Sequence, residues 1–337
     1  MTAPEHARFG WPAGSATGVG SLPGTDPAEA IKLVLGELPA LPHLPELPAR
    51  GLGTDLIGRG CAVLLDLATE WLPHGWTLAS HPGRDLGRAR DQLARDLDAL
   101  SELAAGVAVL KVQLPGPMTL AASVELPNLH KALTDLGAFR DLAGSLTEGA
   151  RLHLATLQSR LPGTVLVLQV DEPALPAVLA GQVPTPSGYG TVRALDRSVA
   201  ELALADLLAV APAGCRVVHC CAAEVPYRLV RAAGADAVSV DASLVSDRQL
   251  DALGEFVDAG GSLWLGVLPG TDSPVTLADA RAAVRTLWDK LGFGPRLLAE
   301  RVVVTPSCGL AGASQAYLRK ALSILRDTAI ALSEESV

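Results

Sequence analysis

The chain is expected to fold as an α/β protein built on a single (β/α)8 TIM barrel, and three features of its sequence lead there. Short β-rich runs alternate with amphipathic helical stretches from near the N-terminus to the end. Several runs are continuously apolar, such as VLVLQV at 165–170 and RVVV at 301–304, as parallel strands covered on both faces require. The runs number eight, and eight β/α units favour closure of the sheet into a barrel.

In order, the first candidate strand, 17–21, leads through a small-residue turn into a helix over 27–37. The second, 43–46, lies in LPALPHLPELPARG, where proline removes ladder donors, so its strand character is weak. An insertion near 51–104 follows and is expected to be a helical excursion over the barrel mouth, ending in a helix over 86–103. The remaining candidate strands are 107–113, 164–170, 216–219, 237–240, 262–267 and 301–305. The helices between and after them are 129–160, 194–210, 225–233, 247–258, 277–291 and 313–332. The polar GQVPTPSGYG at 181–190 reads as a loop, and no linker or composition shift divides the chain. Residues 1–16 are therefore assigned to an N-terminal extension and 17–335 to one barrel domain.

A hydrophobic fraction of 49% against 19% charged residues supplies a large core. The net charge of −9 lacks the basic footprint that nucleic-acid binding needs. No basic region precedes an apolar one at the N-terminus, and no run approaches ~20 apolar residues, so a cytoplasmic protein free of membrane partners is expected. Five cysteines in a chain without an export signal point to metal or thiol chemistry before a disulfide framework.

The strongest local signal is VVHCCAAE at 217–224, an apolar strand running into His219, Cys220 and Cys221. Residues two apart on an extended strand face the same way, so His219 and Cys221 can grasp one ion while Cys220 faces elsewhere. A second strand end, VVVTPSCGLAG at 302–312, offers Cys308. One imidazole and two thiolates at C-terminal strand ends form a soft set suited to Zn²⁺. A single cysteine there would more often be a small buried hydrophobe; the constellation shifts the balance to metal.

Asp241, after the strand AVSV, is a candidate oxygen ligand, with helix capping as the alternative, a role for which Ser243 and Ser246 compete. Asp171 and Glu172, in LQVDEPALP, sit at another strand end, where at most one of two neighbours can face a cavity. That one suits an ammonium group, while Glu172 also reads as a cap for the helix starting at the following proline. Ser21 and the backbone N–H groups of TGVGSLPGTDP can hold an anionic group, although the glycine spacing matches no dinucleotide or P-loop fingerprint.

Taken together, GVGSLPGTD, LPELPARG, KVQLPGPMT, QVDEPAL, VVHCCA, VSVDAS, GVLPGTDSP and TPSCGL resemble, in order, the catalytic C-terminal barrel of cobalamin-independent methionine synthases, within the wider uroporphyrinogen decarboxylase-like group. The resemblance implies a homocysteine methyltransferase of methionine biosynthesis, with His219, Cys221 and Cys308 as zinc ligands. It implies that Ser21, Glu46 and Asp171 contact the amino-acid end of homocysteine. Asp241 stands where the family has a glutamate ligand, one methylene longer, and Asp272 where it has a histidine that handles a proton. An N-terminal barrel that helps to bind folate in those enzymes has no counterpart here. The methyl donor is thus left open between methylcobalamin, a corrinoid protein and a methyltetrahydrofolate. Zinc chemistry on another thiol or a selenol, and a non-catalytic zinc- or ligand-binding barrel, are the alternative readings. Decarboxylation has no use for the His/Cys/Cys set.

Overall fold

The computed structural model describes residues 8–335. Of the 1–16 extension, residues 1–7 lie outside the described residues. α1 (Pro27–Glu37) is followed by α2 (Leu56–Val63), a hairpin of β1 (Ala68–Leu72) and β2 (Gly75–Ala79), and α3 (Arg84–Leu103). Alternation then sets in with β3 (Val109–Pro115), α4 (Pro117–Ser123), α5 (Leu136–Arg160), β4 (Val165–Asp171), α6 (Leu175–Ala180) and α7 (Arg197–Leu208). It continues with β5 (Arg216–Cys220), α8 (Tyr227–Ala232), β6 (Ala237–Asp241), α9 (Leu250–Asp258) and β7 (Ser262–Leu268). The chain closes with α10 (Leu277–Leu291), α11 (Pro295–Arg301), β8 (Val302–Pro306) and α12 (Gln315–Glu334).

The helices start where local chemistry satisfies their free N–H groups. Asp26 accepts from Ala28 and Glu29 ahead of α1, with Pro27 at its first turn, and Thr276 and Asp279 form a capping box on α10. None of the described helices is long and apolar enough to cross a membrane.

Strands β3 to β8 form one six-stranded sheet, parallel and in chain order. Its two edges are linked through the segments expected to be the first two strands. Ala16 bridges Val304, Ser21 bridges Glu46 and His43 bridges Lys111, all in parallel sense, so the sheet curls. These contacts are isolated bridges, whereas regular strands were expected at 17–21 and 43–46. Pro42 and Pro45 flank His43 and have no N–H to give, so a continuous ladder cannot form there.

The 51–104 insertion also differs from expectation, because a β-hairpin interrupts its helices. Trp71 pairs with Trp76 across β1 and β2, their rings edge-to-face at 5.8 Å. The helix expected from 129 begins at Leu136; before it, Glu125 and Lys131 form an antiparallel bridge and Leu129 has a positive φ of 69°.

The inner face of the sheet is layered by the two-residue period of its strands. At the N-terminal end, Val109, Val167, Val217, Ala237, Trp264 and Val303 make an apolar floor. The chain before the first bridge plugs it: Trp11 meets Trp264 edge-on at 5.1 Å and Phe9 stacks on Trp11 at 4.8 Å. The layers above are polar, with Lys111, Gln113, Gln169, His219, Ser239 and Thr305 all buried. Val218 and Cys220, of opposite parity, join the apolar core on the sheet's other side.

Candidate active site

At the C-terminal ends of these strands, extended backbone carries His219 near the end of β5, and the chain leaves the strand at Cys221. The end of β8 brings Cys308 across from them. Ligand atoms of His219, Cys221 and Cys308 lie within 4.8 Å of one another, and among the described residues they form the group of three able to share an ion. The two sulfurs are 3.4 Å apart. The Cys221 thiol and the nearby His219 ring pull the Cys308 thiol down, while the sulfur–sulfur contact and burial push Cys221 up. The pair therefore releases one proton readily and holds the second.

The His219 ring is oriented for ligation. Its Nδ1 is 2.9 Å from Ser239 Oγ on β6, and the tautomer that donates there leaves the Nε2 lone pair free. Nε2 is buried without a hydrogen-bond partner, a state that costs ~1–3 kcal/mol unless something occupies it. An orphaned imidazole nitrogen beside two thiols fits a soft divalent ion.

Cys220 is fully buried on the opposite side, where burial pushes its thiol up to about 12. Cys220→Ser is accordingly expected to retain the bound metal, at a stability cost of ~1–3 kcal/mol for an unsatisfied hydroxyl. Metal analysis and thermal melting of that variant check this, and loss of metal would mean that Cys220 is a ligand.

A cavity of about 240 Å³ runs from this cluster to a pair of carboxylates. Its lining includes Ser21, Glu46, Asp171, His219, Cys221 and Cys308, so six of the eight expected site residues meet in one place. Larger hollows exist, one of about 640 Å³ between α5 and α7, but none holds such a cluster. Ser21 Oγ packs against Gly309, where a Cβ would lie 1.9 Å from it, so any larger residue at 309 would have to turn the Ser21 hydroxyl aside. Burial pushes Asp171 up to about 7, opposed by His219, Lys111 and a hydrogen bond from Gln169. Glu46 is likewise raised by burial and held down chiefly by Arg59.

The insertion supplies that Arg59. Its guanidinium lies between Glu46, at 3.4 Å, and Asp96 of α3, which also takes one hydrogen bond and a second ion-pair contact from Arg50. Arg59 and Asp96, two buried side chains of an excursion that the sequence left without a role, thus brace one wall of the cavity together with Arg50 just before it.

Glu172 is a correction. It caps a helix, but the one after β3 and not the one after its own strand: it accepts from the N–H groups of Met118 and Thr119 and from the Thr119 hydroxyl, at 2.7–2.9 Å. A Cβ at Gly116 would sit 2.0 Å from its carboxylate, which explains the glycine of the LPGPMT turn.

Asp241 is a second correction, because it is not brought into the His/Cys/Cys group. Its carboxylate accepts from the Ser243 N–H at 2.9 Å and hydroxyl at 2.6 Å, capping the turn that ends β6. The shorter side chain is satisfied locally before it can reach a metal. Asp272 is the third. It is exposed and accepts from the Ser314 N–H at 2.7 Å ahead of α12, which pulls its carboxyl down.

Lys111, Gln113, Gln169, Arg59 and Ser239 were not singled out from the sequence. The alternation in KVQ and in LQVD was the signal that could have found four polar groups on one face.

The family model for the cobalamin-independent synthase catalytic domain matches residues 14–331. No curated protein sequence matches the chain. Among solved structures, a B12-independent methionine synthase from Shewanella sp. W3-18-1, in complex with selenomethionine, is similar with a TM-score of 0.64 and 14% identity, over 96% of this chain and 98% of that one. A GH5_18 protein from Streptomyces cattleya, in complex with GlcNAc, has a TM-score of 0.46 and 16% identity, over 97% of this chain and 82% of that one.

Proposed function

Since the chain belongs to the family of cobalamin-independent synthase catalytic domains, we propose that it is a zinc-dependent methyltransferase that converts homocysteine to methionine in the cytoplasm. One observation carries this reading. One cavity is lined by a His/Cys/Cys cluster and by two carboxylates, which are complementary to the thiol and the ammonium of one small amino acid. We read residues 17–335 as one domain, in which the bridged segments 16–21 and 43–46 complete a (β/α)8 barrel around the cavity.

His219, Cys221 and Cys308 would hold the zinc, a three-donor set of the kind that in catalytic zinc sites is completed by water or substrate. When bound, zinc supplies the Lewis acidity that keeps a thiol, with a free pKa near ~8.5, deprotonated at neutral pH. Ser239 fixes the imidazole tautomer. Asp171 and Glu46 hold the ammonium, and Ser21 with the neighbouring backbone orients the amino-acid end. Pro48, Leu56 and Pro173 form an apolar part of the wall that limits water near the sulfur. The donor is a corrinoid, free or protein-borne, or a methyltetrahydrofolate.

Anaerobic assay of the zinc-loaded protein with homocysteine, offering methylcobalamin and methyltetrahydrofolates separately, tests the proposal. Methionine is expected with one of the donors. No methionine with any donor, together with turnover of another thiol or a selenol, would replace homocysteine as the acceptor.

A further inference from the structure

Lys111 is fully buried in the middle of β3, away from the cavity lining, and the chemistry above gives it no task. Its ammonium donates to the Val19 carbonyl at 2.6 Å, to Gln169 Oε1 at 2.7 Å and, more weakly, to Gln113 Oε1 at 3.4 Å. An amide whose oxygen faces an ammonium must turn its NH2 group the other way. Gln169 Nε2 then donates to Asp171 Oδ1 at 2.7 Å and to the Val19 carbonyl at 2.8 Å. Gln113 Nε2 donates to Glu46 Oε1 at 3.0 Å and to the Leu44 carbonyl at 2.8 Å. One cation therefore sets the orientation of two amides, and each passes an N–H to one of the two carboxylates that line the cavity. Turning either amide over would oppose oxygen to oxygen at the carboxylate and donor to donor at the lysine.

We propose that Lys111 is a positioning residue: through Gln113 and Gln169 it holds Glu46 and Asp171 as aimed acceptors, and so makes the pocket selective for a thiol that bears an amino group. This rests on the reading of Asp171 and Glu46 as the ammonium site. Without the lysine the two amides lose their fixed sense, and a carboxylate that no longer receives an N–H from its amide is no longer held in the orientation an ammonium needs.

The test measures, by calorimetry on the zinc-loaded full chain, the affinities for homocysteine and for 4-sulfanylbutanoate, which is homocysteine without its amino group. Lys111→Met and Gln169→Leu are compared with wild type and with Asp171→Asn, with zinc content and thermal melting checked for each. Wild type is expected to prefer homocysteine. Lys111→Met should lower that preference about 10-fold or more, and Gln169→Leu less, with zinc content and 4-sulfanylbutanoate affinity unchanged. A merely structural lysine would weaken both ligands together. An unchanged preference in folded, zinc-loaded Lys111→Met, with Asp171→Asn impaired, overturns the role of Lys111 and leaves the ammonium site standing. If Lys111→Met does not fold, Gln169→Leu decides on the same criterion. An unchanged preference in Asp171→Asn removes the ammonium site itself and the proposal with it.

Discussion

Replacing Cys221 or Cys308 by alanine is expected to take the protein from about one zinc per chain to a small fraction of that, and methyl transfer with it. Each thiolate is one of only three protein donors that converge within 4.8 Å. Loss of an outer-shell partner of a metal already costs about 10–100-fold in affinity or activity. Loss of a donor atom from a three-ligand site must cost more. The remaining cysteine would also lose the contact that depresses its thiol in the case of Cys308, so one substitution weakens two ligands. At neutral pH an unassisted thiol is only a few per cent thiolate, which bounds the residual reaction from above. Metal analysis of the purified variants reads the outcome directly. Undiminished zinc in both would remove these cysteines from the ligand set.

Asp171→Asn should weaken homocysteine binding about 10–100-fold while leaving zinc in place. A charge-assisted hydrogen bond contributes ~1.5–3 kcal/mol, and each ~1.4 kcal/mol is tenfold in affinity. The substitution does more than delete a charge. Gln169 Nε2 already donates to this position, so the new amide must turn its oxygen to Gln169 and its NH2 towards the incoming ammonium, where donor meets donor. Lys111 would keep Glu46 but lose one of its two carboxylate counter-charges, so a modest fall in thermal stability should accompany the loss. Calorimetry with homocysteine on the zinc-loaded variant measures the affinity. Binding as tight as in wild type would show that the ammonium sits elsewhere.

Much of this site was legible because it depends on short-range geometry. His219 and Cys221 face one way and Cys220 the other because an extended chain alternates, and that follows from three consecutive residues. The same rule separated Asp171 from Glu172 before any contact was known. α1 and α10 were bounded to the residue by Asp26 with Pro27 and by Thr276 with Gly292, whose capping is local. The two segments expected as the first strands form isolated bridges only, and the prolines that weakened the second in the sequence are those that keep it from a continuous ladder.

What misled was the weighing of equally local alternatives. Asp241 had a ligand role by position in a motif and a capping role by residue type, whereas Asp272 had only a proton-handling role by position. A carboxylate makes only a few good contacts, and whichever donor arrives first satisfies it. Ser243 is two residues from Asp241, so that competition was present in the sequence; Ser314 is 42 residues from Asp272 and was not. The hairpin in the insertion was missed for a related reason: its two tryptophans stabilise a strand pair only by facing each other.

By itself the sequence determined the alternation of strands and helices, the parity of each strand, and hence which side chains can share a face, because these depend on backbone geometry over a few residues. Only the tertiary structure decided that Cys308 lies beside Cys221, 87 positions away, and that Glu172 caps a helix 53 residues before it. It alone decided that one buried lysine governs two glutamines on different strands. The physical reason is that a polar group's role is settled by which partners reach it once water is excluded. Those partners are chosen by the curl and register of the sheet, and not by their distance along the chain.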